Sequence, residues 1–265
     1  MFKYLSPLAI LLLLITATSC DSLDEPEIDD PVDEHITEPK SDEELEAYLI
    51  GIDFNDSLEI ASSLYYSKGS ENAEEMVQVR LYYNEANDLL KMEEMMVKAS
   101  SSSIVSNVFY YKDSLLCASK QFFEEEKDGK EYFAEILTYY DADEKVTLSK
   151  QRTADYEELL DQEPYKLIAN TPCPADRALS VINQEGEFET TFQGFVDFAE
   201  FTYLIVGEDN ATGFASSLVI QSYTPLIEEF RRNEKQMLGV PLIIEWGTVS
   251  DDGGEQQILV SVSRK

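Results

Sequence analysis

Paired tyrosines recur along the first half of the chain, and their spacing is the strongest constraint on what it can fold into. The pairs stand at Tyr65-Tyr66, Tyr82-Tyr83, Tyr110-Tyr111 and Tyr139-Tyr140. The last three pairs are 28 and 29 residues apart, and each is followed by a polar turn and an apolar run. This spacing fits two strands per repeat. We therefore predict an antiparallel meander of six or seven strands over residues 52–152, inside a domain that spans residues 45–169 and contains short helices.

The same tyrosines are candidate contact residues. Neighbouring residues of a strand point to opposite faces of a sheet, so one tyrosine of each pair should be buried and the other exposed. Exposed tyrosines on adjacent strands would form a row suited to binding a protein or to stacking against a sugar. The candidate surface-contact residues are Tyr82, Tyr83, Tyr110, Tyr111, Tyr139 and Tyr140.

A second domain is predicted after a proline-containing linker at residues 170–185. Residues 186–265 hold three strand candidates, a helix that starts at Pro225 and ends before Gly239, and two further strand candidates. This region resembles an OB fold in the order of its elements. The resemblance implies a five-stranded barrel with one helix. The fold class expected for the whole chain is mainly β, of the α+β type.

The first twenty residues have the composition of an export signal. Lys3 is followed by the apolar run Leu8–Ile15 and by small residues that lead to Cys20. Such a pattern is typical of a cleaved secretory signal, and the run is short for a transmembrane helix. The cysteine resembles the lipobox of bacterial lipoproteins, although Ala17 stands where leucine is usual. The resemblance implies a type II signal peptide over residues 1–19 and a lipid on Cys20.

The segment behind this cysteine, residues 20–44, is predicted to be a disordered acidic tether. It has twelve acidic residues between Asp21 and Glu44, three prolines and no aromatic residue, so it has little to bury. An acidic segment in this place resembles the surface-export signal of Bacteroidota lipoproteins, whereas Asp21 alone resembles the inner-membrane retention signal of enteric bacteria. Of the two, we favour an outer-membrane lipoprotein that faces the periplasm or the cell surface.

The formal net charge of −33 narrows the list of partners. Such a surface repels phosphate backbones and anionic lipid head groups, so neither nucleic acid nor direct electrostatic membrane binding is expected. The membrane should be reached through the N-terminal lipid anchor. The partners that remain are an envelope protein or a glycan. The negative charge is explained by solubility, since like-charged molecules repel each other.

Catalytic constellations are scarce in the sequence. The single histidine is His35, inside the predicted tether, so histidine-based triads and the usual zinc or copper sites are not available to the folded part. Phosphate-binding glycine loops do not occur. Asp141–Glu144 and Asp251–Gly254 have calcium-binding side chains, but solvated hairpin turns explain them better. We expect no enzymatic activity, no cofactor and no metal site. The alternative is a carboxylate-dependent glycan hydrolase, which needs only two acidic groups.

Four further residues are candidates for covalent change. Cys117 and Cys173 are too few for a disulfide framework, so they either pair with each other or stay as buried thiols. Ser57 and Ser114 each follow an aspartate and precede a leucine. That sequence resembles the O-glycan acceptor of Bacteroidota, and the two serines are therefore candidate O-glycan sites.

Overall fold

The computed structural model describes residues 42–70, 73–98, 103–127, 129–210, 212–251 and 254–265. The predicted signal peptide, Cys20 and most of the predicted tether lie outside these residues. The described residues belong to one compact unit, which is mainly β with a large mixed sheet. Among its described helices, none has the length and apolar character needed to cross a bilayer.

Fourteen strands are found within the described residues. They are β1 Glu59–Ser62, β2 Tyr66–Ser70, β3 Ala73–Tyr83, β4 Leu89–Lys98, β5 Ser103–Lys112, β6 Leu115–Lys127, β7 Lys130–Tyr140, β8 Val146–Ala154, β9 Lys166–Ile168, β10 Thr191–Phe198, β11 Phe201–Gly207, β12 Ala215–Ile220, β13 Leu242–Asp251 and β14 Gly254–Arg264. The α-helices are α1 Asp42–Asp53, α2 Asp176–Asn183, α3 Pro225–Arg232 and α4 Glu234–Met237, and short 3-10 helices cover Glu157–Gln162 and Gly186–Phe188.

The predicted antiparallel meander is present, but it has eight strands instead of six or seven, because β9 lies beyond the predicted range. Strands β2 to β9 lie side by side in chain order, and every neighbouring pair is antiparallel. The three later tyrosine pairs stand at the ends of β3, β5 and β7, so each repeat holds two strands. Opposite each of these pairs, the following strand has a β-bulge with one extra residue, which is Leu90 in β4, Cys117 in β6 and Thr147 in β8. Because a bulge bends its strand and increases the local twist, the repeat also sets the curvature of the sheet.

The predicted OB-like barrel over residues 186–265 is not confirmed, because the sheet does not close. The predicted element order is present, since β10, β11 and β12 precede α3 and are followed by β13 and β14. However, β12 pairs with β2 at Ala215 and Ser67, and then with β14, in parallel, at Val219 and Ile258. A closed barrel would also need β10 to pair along β13, but among the described residues these strands approach each other only around the single bridge between Thr191 and Pro241.

Both faces of the meander sheet are covered. On one face, Phe109 of the meander shares an apolar core with Phe192 and Phe230, which come from residues 186–265. On the other face, Leu49 and Ile52 of α1 form a second apolar cluster with the sheet. A sheet with two apolar faces is stable only when both are buried. Helix α1, which starts at Asp42 directly after the predicted tether, is therefore part of the fold.

A stripe of hydroxyl groups on the first face holds the segment after β9 against the sheet. Thr138 donates to the carbonyl of Thr171 at 2.8 Å, and the Thr171 N–H donates to Ser149 at 2.9 Å. Two residues on, the N–H of Cys173 donates to the Tyr140 hydroxyl at 3.0 Å. These bonds provide partners for backbone groups of residues 171–173, which lie outside the described strands.

Candidate ligand-binding clefts

The structure separates the six candidate tyrosines into two sets. Tyr110 and Tyr139 lie in the cluster beneath α1 and are 1% and 3% exposed, whereas Tyr111 and Tyr140 pack against the opposite core. The two members of these pairs point to opposite faces, as predicted. The prediction that the second member is exposed was wrong, because both faces of the sheet are covered and none of the six tyrosines is exposed. Tyr82 and Tyr83 are half-buried. Burial removes the rings of Tyr110 and Tyr139 from any contact with a partner in this conformation.

A lysine lies over the tyrosine ring in each repeat on the α1 side. Lys91 lies 4.3 Å from the centre of the Tyr82 ring and Lys120 lies 5.2 Å from that of Tyr110. In the third repeat, the corresponding pair is Lys150 and Tyr139, at 5.3 Å. Ammonium groups in this position are attracted by the negative face of the ring. These lysines were not among the predicted site residues, although each lies at a similar distance after a tyrosine pair.

Two carboxylates of α1 form ion pairs with this row of three lysines. Asp53 pairs with Lys120 at 2.8 Å and with Lys91 at 3.5 Å, and its carboxylate also accepts a bond from the Tyr110 hydroxyl. Glu46 is paired with Lys150 in the same way. The bond from Lys150 lowers the pKa of Glu46 below its usual 4.5. Ion pairs therefore hold α1 on the sheet, in addition to the apolar contacts beneath the helix.

A cleft of about 360 Å³ opens beside α1, which we call the α1 cleft. Its lining residues are Glu46, Leu49, Ile50, Asp53, Phe54, Lys120, Leu137, Arg152, Asp161 and Tyr165. The charged groups are already matched, since Arg152 binds Glu135 with two bonds of 3.1 Å and also contacts Asp161. A charged ligand would have to break one of these pairs, which makes the α1 cleft a poor site for an anion or a cation.

A second cleft, of about 310 Å³, lies where the sheet divides, and we call it the splay cleft. Strand β12 pairs with β2 near its start and with β14 near its end, so β2 and β14 diverge from a common neighbour. The gap between them is lined by Tyr65, Gln78, Tyr203, Ser217, Val219, Thr248, Glu255, Gln256 and Gln257. Six strands or strand ends contribute to this lining. No short sequence motif encodes it.

The side chain of Gln257 holds one wall of the splay cleft in place. Its carbonyl oxygen accepts from the N–H of Tyr65 at 2.8 Å, and its amide nitrogen donates to the carbonyl of Ser63 at 3.0 Å. The amide thus supplies the donor and the acceptor that a neighbouring strand would have offered. The Tyr65 side chain, which also bonds to the sulfur of Met76, is left 40% exposed at the mouth of the cleft.

The chemistry of the splay cleft differs from that of the rest of the chain. Eight of its nine lining residues are uncharged, and Glu255 is the exception, although the chain carries a net charge of −33. Glutamine, serine and threonine side chains both donate and accept hydrogen bonds, and tyrosine rings offer a flat apolar face. This combination suits a neutral ligand with many hydroxyl groups and apolar patches between them.

The other candidate residues lie elsewhere. Ser57 is exposed and donates to the side chain of Asn55 at 2.7 Å, and Ser114 is exposed in the tight turn between β5 and β6. Both are accessible, but neither lines a described cleft. Among the described residues, no cluster of histidine, cysteine, aspartate and glutamate has metal-binding geometry.

The two described cysteines do not form a disulfide. Cys117 belongs to the cluster beneath α1 and Cys173 to the opposite core, so the sheet lies between them. Burial raises the pKa of each thiol to about 11. Because the thiolate is the reactive form, both cysteines are unreactive at neutral pH.

No protein-family model, curated protein or solved structure matches this chain.

Proposed function

We propose that this chain is a lipid-anchored cell-envelope protein that binds a neutral glycan in the splay cleft and does not transform it. The observation that carries the proposal is the lining of that cleft, which combines two tyrosines with amide and hydroxyl side chains. The predicted lipid on Cys20 supports an outer-membrane location on the periplasmic or the cell-surface side. Neither a cofactor nor a metal takes part in the binding.

Sugar recognition follows from the geometry of the lining groups. A pyranose ring presents hydroxyl groups around its rim and C–H groups on its faces. Tyr65 and Tyr203 supply rings for the C–H faces, and Gln78 and Gln256 supply amides for the hydroxyl groups. An acidic glycan would be repelled by the negative charge of the chain, so neutral glycans are favoured.

The test is binding of the full-length chain, in detergent, to an array of neutral and acidic glycans. We expect retention of neutral glycans only. Tyr65→Ala or Gln78→Ala should weaken that binding about tenfold, which corresponds to about 1.4 kcal/mol. Tyr223→Ala is the matched control, because Tyr223 is 49% exposed and lies outside the lining. Absence of glycan binding, or equal binding by all three variants, would refute the proposal.

A second candidate is the carboxylate-dependent glycan hydrolase, and it is favoured by the three carboxylates of the α1 cleft, Glu46, Asp53 and Asp161. Glycoside hydrolysis needs one carboxyl group whose pKa is raised so that it can act as an acid. Glu46 is shifted in the opposite direction. Release of reducing sugar from a glycan library, abolished by Asp53→Asn, would favour the hydrolase over the binding protein.

A further inference from the structure

Strand edges expose backbone groups that can pair with another chain, and most edges of this sheet are protected. Strand β9 has only three residues and β1 only four. The edge of β10 is covered, because Phe192 bonds to the carbonyl of Val240 and the N–H of Phe195 donates to Glu234 at 3.0 Å. Strand β13 is not protected in either of these ways. It has ten residues and, within the described part of the chain, pairs along its length with β14 alone.

The direction of the backbone groups of β13 follows from its first residue. The N–H of Leu242 donates to Thr190 on the side away from β14, at 2.8 Å, and its carbonyl accepts from the Thr190 hydroxyl. Backbone groups alternate in direction along a strand. The N–H and C=O groups of Trp246, Thr248 and Ser250 therefore point to the same side, and this side is open at Thr248 and Ser250, which are exposed. Ile244 has the same orientation but is 4% exposed, so its backbone is covered. The bulge in this hairpin inserts Val260 into β14 and leaves the alternation of β13 intact.

The side chains of β13 also suit an added strand. Leu242 and Ile244 are buried and Trp246 packs against the core, whereas Ile243 and Val249 are 52% and 42% exposed. One face of β13 thus anchors it to the protein, and the other carries apolar side chains beside the free backbone groups. Cross-strand contacts between such residues stabilise sheet pairing.

We propose that the free edge of β13 binds an extended segment of a basic protein by strand addition. Backbone hydrogen bonds supply the attachment, and exposed Ile243 and Val249 contact alternate side chains of the added strand. The partner should carry positive charge, because this chain has a net charge of −33 and Glu255 is exposed on the adjoining strand. A second copy of this chain is disfavoured on the same ground, since two such surfaces repel each other.

The probe is a labelled peptide of alternating lysine and valine, titrated into the full-length chain in detergent. Its counterpart carries N-methyl groups on alternate amides, which removes the hydrogen bonds along one edge without changing the charge. We expect saturable binding of the first peptide and about tenfold weaker binding of the second, because several hydrogen bonds are lost together. Ser250→Pro, which removes one outward N–H, should weaken the first peptide about threefold or more.

Two lysine variants separate strand addition from general attraction to an acidic protein. Val249→Lys places a like charge beside the bound peptide, whereas Val260→Lys makes the same change on β14, at a residue that is 61% exposed. Binding should fall about two- to fivefold more for Val249→Lys, provided that both variants unfold at the temperature of the parent. No binding, equal binding of the N-methylated peptide, or equal loss in the two variants would overturn the proposal.

Discussion

Asp53, the last residue of α1, makes most of the polar contacts between this helix and the sheet, so its removal should loosen the helix. Its carboxylate accepts bonds of 2.9 and 2.8 Å from the Tyr110 hydroxyl and pairs with Lys120 at 2.8 Å. It also lies 3.5 Å from Lys91, which has a second partner in Glu93 at 3.0 Å. Truncation by Asp53→Ala therefore affects the three groups unequally.

The free-energy change can be divided among these groups. Tyr110 is 1% exposed, so its hydroxyl would lose its acceptor without reaching water, at a cost of about 1–3 kcal/mol. The Lys120 side chain is 22% exposed and can be solvated again, so its share is about 1 kcal/mol or less. Lys91 keeps Glu93. The expected loss of unfolding free energy is about 1–4 kcal/mol, and Asp53→Asn, which retains an acceptor, should lose less.

Urea unfolding followed by circular dichroism measures this loss. Asp56→Ala is the matched control, because it removes the same charge from an exposed residue three positions later and should change stability by less than about 0.5 kcal/mol. Tyr110→Phe completes a double-mutant cycle with Asp53→Ala and isolates the energy of the hydroxyl–carboxylate bond. If Asp53→Ala and the control have the same free energy of unfolding, or if the cycle shows no coupling, the polar contacts of Asp53 do not hold α1 on the sheet.

Three further outcomes follow from single residues. Lys150 lowers the pKa of Glu46 in the folded protein, so the contribution of Glu46 to the free energy of unfolding is complete above pH 4.5 and is lost as the pH falls through the lowered pKa. The free energy of unfolding should therefore decrease less on acidification in Glu46→Gln than in the parent. Burial raises the pKa of Tyr82 from 10 to about 12, so its share of stability is lost as the pH rises between these values, and titration of phenolate absorbance in Tyr82→Phe should lack one late step. Gly207→Ala would place a Cβ 2.4 Å from the carbonyl oxygen of Phe214, and thermal unfolding should show a loss of about 1–3 kcal/mol.

The meander could be predicted because its information is local. Each tyrosine pair marks the end of one strand, and the turn and returning strand follow within the same repeat. The start of α3 was also visible locally, since Thr224 caps it and Pro225 occupies its first turn. The single helix predicted to continue to Gly239 is instead divided at Asn233 into α3 and α4. In both cases the residues that decide the structure are close together in the sequence.

The rest depends on contacts between distant residues. Ala215 pairs with Ser67, and Tyr65 is held by Gln257; neither end of these contacts differs in type from many other residues of the chain. The same element order would fit a closed barrel or an open sheet, because closure and branching of the sheet are decided by which strands β10, β12 and β13 meet. The splay cleft exists only after that choice, so its residues have no common signature in the sequence.

The positions left for ligands follow from how completely the sheet is covered. Apolar cores occupy both faces of the meander, so contact groups are available mainly where strand pairing stops. The β13–β14 hairpin meets both of the proposed sites, because Thr248 lines the splay cleft while its backbone N–H faces the free edge. An added strand would hold that residue in place and thereby alter the cleft. By thermodynamic reciprocity, a bound neutral glycan must change the affinity of the lysine–valine peptide by the same factor as the peptide changes that of the glycan. Independent titrations in the presence and absence of the other ligand measure this factor, and a value of one would show that the hairpin holds both sites without moving.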